Sequence, residues 1–191
     1  MRTSTSFYRS LFVALLSWGL LAGCATTQGN TPTEKRQAVQ TMRDNALTTL
    51  YKTRADAKAK IAASYGTAVF STANVNLLIA SFSGGYGVAK DRNGSQIYMR
   101  MAEAGVGLGA GVKDVRTIFV FHTKEAFEQF VNSGWEFGAH ADAAAKAGDK
   151  GGAVGGEVAI GGMTIYQITE AGLALQATVK GTKFYKDAEL N

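Results

Sequence analysis

The 191-residue chain has one cysteine, Cys24, one proline, Pro32, and two histidines, His122 and His140. A lone cysteine excludes an intramolecular disulfide, so the core must hold without a covalent staple. One thiol and two imidazoles do not make a zinc constellation, and neither a metal nor a cofactor is expected. There is no phosphate loop ending in Gly-Lys-Ser/Thr. Gly85-Tyr86-Gly87 lacks the third glycine of a dinucleotide fingerprint and runs into a strand pattern instead of a helix. No nucleophile stands beside a base, so no catalytic residue is assigned. His140 near Asp142 is the one pair that could orient an imidazole, and a hydrolase would have to rest on it alone. His122 ends an apolar run and reads as a strand-edge residue.

What the chain does have begins at its N-terminus. Arg2 and Arg9 precede an apolar stretch, residues 11–21, that is short for a bilayer span. Leu21-Ala22-Gly23-Cys24 follows and matches the lipobox of bacterial lipoproteins. The pattern predicts a signal peptide over 1–23, removed before a lipidated Cys24. Residues 24–33 then form a polar tether, and 34–191 a single domain. Ala25 is not the aspartate that retains enteric lipoproteins in the inner membrane, so the expected location is the outer membrane, on its periplasmic side. Loss of Arg2 and Arg9 lowers the net charge from +5 to +3. The nine residues 25–33 would reach roughly 30 Å when extended.

The charge is unevenly spread. Residues 34–65 hold seven basic side chains and three acidic ones. In the same segment Val39, Met42, Ala46, Leu50, Ala57 and Ile61 recur at about 100° per residue, which predicts an amphipathic helix, with Thr33 as its cap. Arg36, Arg43, Arg54 and Lys58 are spaced near whole turns and align beside the stripe, with Leu47 and Tyr51 interleaved. Such a flank suits the anionic headgroups of a phospholipid surface, which an exported protein meets and nucleic acid does not provide.

Beyond Gly66 the periodicity shortens to that of strands, at 67–72, 75–82, 88–90, 96–101, 104–112 and 115–122. Asp91-Arg92-Asn93-Gly94 is a hairpin turn signal. Gly105, Gly107, Gly109 and Gly111 alternate with Val106, Leu108, Ala110 and Val112, so one face of that strand is bare. A bare face permits close packing, or it opens a groove for an acyl chain or headgroup. Thr123 caps a short helix over 124–133, with Phe127, Phe130 and Val131 on its apolar side and Gly134 as its stop. Three more strands, 153–160, 163–169 and 172–179, follow, with 183–185 near the end of the chain. The predicted fold class is α+β: an amphipathic N-terminal helix and a short middle helix packed on a glycine-rich, mainly antiparallel sheet, curved toward a half-barrel.

Several blocks then resemble a known family. Gly84-Gly85-Tyr86-Gly87-Val88, the Asp91…Gly94 turn and the alternating glycines come first. Phe137-Gly138-Ala139-His140-Ala141-Asp142, Ile165-Tyr166…Gly172-Leu173 and Gly181-Thr182-Lys183-Phe184-Tyr185 follow in order. In this order the blocks resemble the SYLF domain family. The resemblance implies an anionic-lipid-binding domain aided by a basic N-terminal segment, matched here by residues 35–60. Eukaryotic relatives are linked to phosphoinositides and some to actin, neither of which an exported protein meets. The chain departs from the family at Gln167-Ile168-Thr169-Glu170-Ala171, where relatives often carry a basic stretch.

The expectation is therefore a non-enzymatic envelope lipoprotein that binds anionic phospholipid through Arg36, Arg43, Arg54 and Lys58. The alternative is a structural lipoprotein whose glycine-rich sheet docks another envelope protein.

Overall fold

The computed structural model describes residues 27–137, 157–160, 162–169, 172–173 and 180–191. Of these, 74–82, 105–113, 135–137, 157–160, 169, 172–173 and 180 are described by their backbone alone. The order is α1 (Pro32–Thr53), α2 (Ala55–Ala63), β1 (Gly66–Asp91), β2 (Gln96–Phe121), α3 (Lys124–Ser133), β3 (Trp135–Phe137), β4 (Glu157–Ile160), β5 (Met163–Thr169), β6 (Gly172–Leu173) and β7 (Lys180–Lys186). The fold is mixed α+β with more strand than helix, and every strand pair is antiparallel.

The helix cap lies two residues before the predicted one. Thr31 is the N-cap, Pro32 occupies the first turn and Glu34 closes a capping box. Proline suits this position because its missing N–H has no helical partner there. Thr31, not Thr33, has a glutamate three residues later.

The predicted single helix over 34–65 is also broken at Arg54, whose backbone is extended. The hydroxyl of Thr53 bonds back to the carbonyls of Thr49 and Leu50, at 3.1 Å each, in competition with the helical ladder.

The strands read as short runs merge into two 26-residue strands, β1 and β2, which pair along nearly their whole length. Laid straight, such a ribbon would run about 86 Å. Instead β1 doubles back on itself. A Cβ on Gly85 would stand 2.5 Å from the carbonyl oxygen of Ser71, and one on Gly87 would overlap that of Val69. Gly66 meets the carbonyl of Lys90 in the same way, and Arg92 N–H donates to Tyr65 O at 2.8 Å. Backbone lies on backbone here, which only glycine permits.

On its other edge β2 pairs with β7 through residues 99–105 and with β5 through 115–121. The sheet runs β3-β7-β2-β5-β4, with β1 on β2 and β6 on β5, and its two ends do not join. It is curved and open.

Alternation along the strands divides the interior in two. On one face Phe70, Phe119, Phe121 and Phe184 pack with Phe127 and Phe130 of α3. Phe70 and Phe184 have centroids 4.7 Å apart, and Phe119 and Phe130 5.0 Å. The other face carries Val69, Val88, Ile118, Val120, Tyr166 and Ile168 under Val39, Met42, Ala46, Leu47 and Leu50 of α1. α3 is positioned as expected, capped by Thr123, whose hydroxyl accepts from Ala126 N–H at 3.2 Å, and stopped by Gly134 at φ 67°.

Candidate membrane-facing arm

α1 lies across one sheet face, and its packed arc is wider than the predicted stripe. Leu47, expected among the flanking residues, is buried, and the arc runs from Met42 through Val39 to Leu47. At about 100° per residue, Arg36 and Arg43 fall inside that arc, not beside it. Arginine tolerates this because its stem packs while its head finds polar partners.

Arg36 Nε donates to the carbonyl of Leu190 at 2.8 Å, and its guanidinium lies 5.9 Å from the ring centroid of Tyr98. Arg43 Nη1 pairs with Asp44 at 2.8 Å, and its Nε is buried without a hydrogen-bond partner. Burial raises the Tyr51 hydroxyl above its ordinary pKa, an effect that the charge of Arg43 opposes.

Arg54 sits at the break. Its Nε and Nη2 grip the two carboxylate oxygens of Asp56 at 3.1 and 3.2 Å, and its guanidinium lies 5.9 Å from the Tyr166 ring centroid. Lys60 reaches the same carboxylate at 3.0 Å. Arg54 first, then Lys60, holds Asp56 well below the usual carboxylate range.

Lys58 is exposed on α2, and the break resets the helical phase, so it does not continue a row from Arg36 and Arg43. Lys52, in the last turn of α1, is exposed as well. The outward cations therefore gather at the α1–α2 junction instead of running the length of one helix.

Cys24 and the His140–Asp142 pair lie outside the described residues, as do residues 25 and 26 of the predicted tether. Gly105, Gly107, Gly109 and Gly111 lie in β2. Among the described residues, 106–114 pair only with β1. The register slips where Ile79 faces Gly107 and Leu108, a bulge in the otherwise regular ladder. His122 contacts the Thr164 hydroxyl at 2.8 Å at the edge of the strand. No cluster of metal-ligating side chains occurs among the described residues. No described helix is long and apolar enough to cross a membrane.

A feature that sequence reading missed lies on the other side of α1. Gln37, Thr41 and Asn45 face Tyr86 of β1 and Arg116 of β2 across a cleft of about 520 Å³. The available signal was Arg116 itself. It stands two residues before Ile118 and four before Val120, on the strand face where alternation calls for an apolar residue.

Residues 102–191 match the family model Ysc84, described as Las17-binding protein actin regulator. Over 164 residues the chain is 37% identical to Beta cell expansion factor A of Aeromonas veronii, covering 84% of this chain. The chain spans 60% of the length of that curated relative. Neither description names a catalysed reaction. With the ordered glycine and aromatic blocks placed on β1, β2, β5 and β7, these matches show that the chain carries a SYLF (Ysc84) domain, matched by the family model over residues 102–191.

Proposed function

We propose that the protein is a non-enzymatic envelope lipoprotein, anchored through Cys24 to the periplasmic side of the outer membrane, whose basic arm binds anionic phospholipid. The observation that carries this reading is the α1–α2 junction. Lys52 and Lys58 are exposed there, beside Arg54 and Lys60, which share the single carboxylate of Asp56. Pairs this close to solvent contribute little to stability, so a lipid phosphate can replace Asp56 at little cost. Arg43 is held by Asp44 in the same way, whereas Arg36 serves the fold through Leu190.

Each cation near an anionic surface adds about 1 kcal/mol. An acyl chain adds about 0.8 kcal/mol per buried CH₂. The lipid on Cys24 thus sets residence, and the junction sets orientation and lipid preference.

Co-sedimentation of residues 25–191, which lack the anchor, tests the arm. Binding to phosphatidylglycerol vesicles should exceed binding to phosphatidylcholine vesicles, weaken with salt, and fall in Lys52→Glu/Lys58→Glu. Equal binding to both vesicles would remove the basis for the proposal.

A further inference from the structure

The cleft beside α1 is separate from the arm. Its floor is the sheet, at Tyr86 and Arg116, and its wall is the α1 flank that carries Gln37, Thr41 and Asn45. Its volume of about 520 Å³ falls in the ordinary range for small-molecule sites.

Among the described residues, Arg116 is the only cation lining it. The Nη1 of Arg116 is buried and has no hydrogen-bond partner. The guanidinium that borders the cleft is thus incompletely satisfied by the protein, and its natural complement is an anionic oxygen supplied by a ligand.

The remaining lining narrows the ligand class. Glu34 also borders the cleft, but its carboxylate already accepts from Asn30 N–H at 2.7 Å and Thr31 N–H at 3.3 Å in the helix cap. Its charge disfavours a dianion next to a single arginine, which points to a monoanionic group. Gln37 and Asn45 each present a donor and an acceptor, which suits ligand hydroxyls. The Tyr86 ring and Met42 supply an apolar surface for C–H groups.

We infer that this cleft binds a hydroxylated monocarboxylate, the chemistry of an acidic saccharide, with the carboxylate on Arg116. The planar guanidinium fork matches a carboxylate in a way that a lysine ammonium does not. The site does not require the membrane reading, because none of its residues belongs to the α1–α2 junction.

The test is isothermal titration of the full chain in detergent with sodium D-glucuronate, with D-glucose as the neutral control. Saturable binding of glucuronate, at least tenfold tighter than any binding of glucose, is expected. Arg116→Gln should weaken it at least tenfold. Asn45→Leu, an exposed helix position that leaves the sheet untouched, should also weaken it while thermal unfolding stays unchanged. Binding to phosphatidylglycerol vesicles should survive Arg116→Gln and should not be displaced by glucuronate. Equal binding of glucose, or full glucuronate binding by folded Arg116→Gln, would overturn the inference. So would an absence of glucuronate binding together with vesicle binding that depends on Arg116, which would assign the cleft to a phosphodiester headgroup instead.

Discussion

Arg36 Nε donates to the backbone carbonyl of Leu190, 2.8 Å away in space and 154 residues away in sequence. This bond fastens the first turns of α1 to the last residues of the chain. Around it Leu190 is buried, the Asn191 side chain bonds both the N–H and the carbonyl of Tyr98, and Gln40 donates to the Tyr98 hydroxyl at 3.1 Å. A cation that looks like part of a solvated flank in the sequence is thus a structural clasp.

Arg36→Ala should lower stability by about 1.5–3 kcal/mol, the usual range for a hydrogen bond to a charged group. Neighbouring Lys35, paired with Glu189 at 2.6 Å with both side chains partly exposed, should cost under about 1 kcal/mol when replaced by Ala. Urea unfolding of the two variants checks the order. A larger loss for Lys35→Ala would mean that Arg36 is not a clasp.

Gly87→Ala should be more harmful than its single methyl suggests. The added Cβ would overlap the carbonyl of Val69 and the ring of Phe70, and backbone cannot rotate away as a side chain can. A loss of about 1–3 kcal/mol is expected from overpacking. Gly181→Ala is the control, because its nearest neighbour would be the Ala104 oxygen at 3.8 Å. Thermal unfolding should separate the two, with Gly181→Ala close to the parent.

Several of these relationships were legible in the sequence and others were not. α3 was readable in full, because Thr123, Gly134 and the Phe127, Phe130 and Val131 spacing are all local signals. The strand Met163–Thr169 was readable for the same reason. The merging of short strands into β1 and β2 was not. Glycine normally interrupts a strand, and its role at Gly85 and Gly87 becomes visible only when residues 66–71 are seen against them. The apolar stripe of α1 was legible, but the width of its packed arc depends on Tyr98, Tyr166 and Leu190, which are distant in sequence. That width is why Arg36 and Arg43 were read as outward. Arg116 went unremarked because nothing local shows that α1 stops short of covering it.

Asp56 provides a pH signature for the junction. Its hydrogen bonds from Arg54, and then Lys60, depress its folded pKa below the ordinary value near 3.9. A depressed carboxylate contributes stability that is fully present above the unfolded pKa and is lost as pH falls through the folded one. An NMR titration of the Asp56 carboxyl should therefore show it still ionised at pH 3. In Arg54→Ala the midpoint should move up toward the ordinary range. A midpoint near 4 in the parent would mean that the Arg54–Asp56 fork does not persist in solution.

The most direct measurement is amide hydrogen exchange on the full chain in phosphatidylglycerol and in phosphatidylcholine vesicles, compared residue by residue. The account predicts slower exchange over Ala55–Ala63 and the last turn of α1 on the anionic vesicles, with the β1–β2 ribbon unchanged between the two. Identical exchange at the junction in both lipids, or protection confined to the glycine-rich stretch of β2, would contradict it.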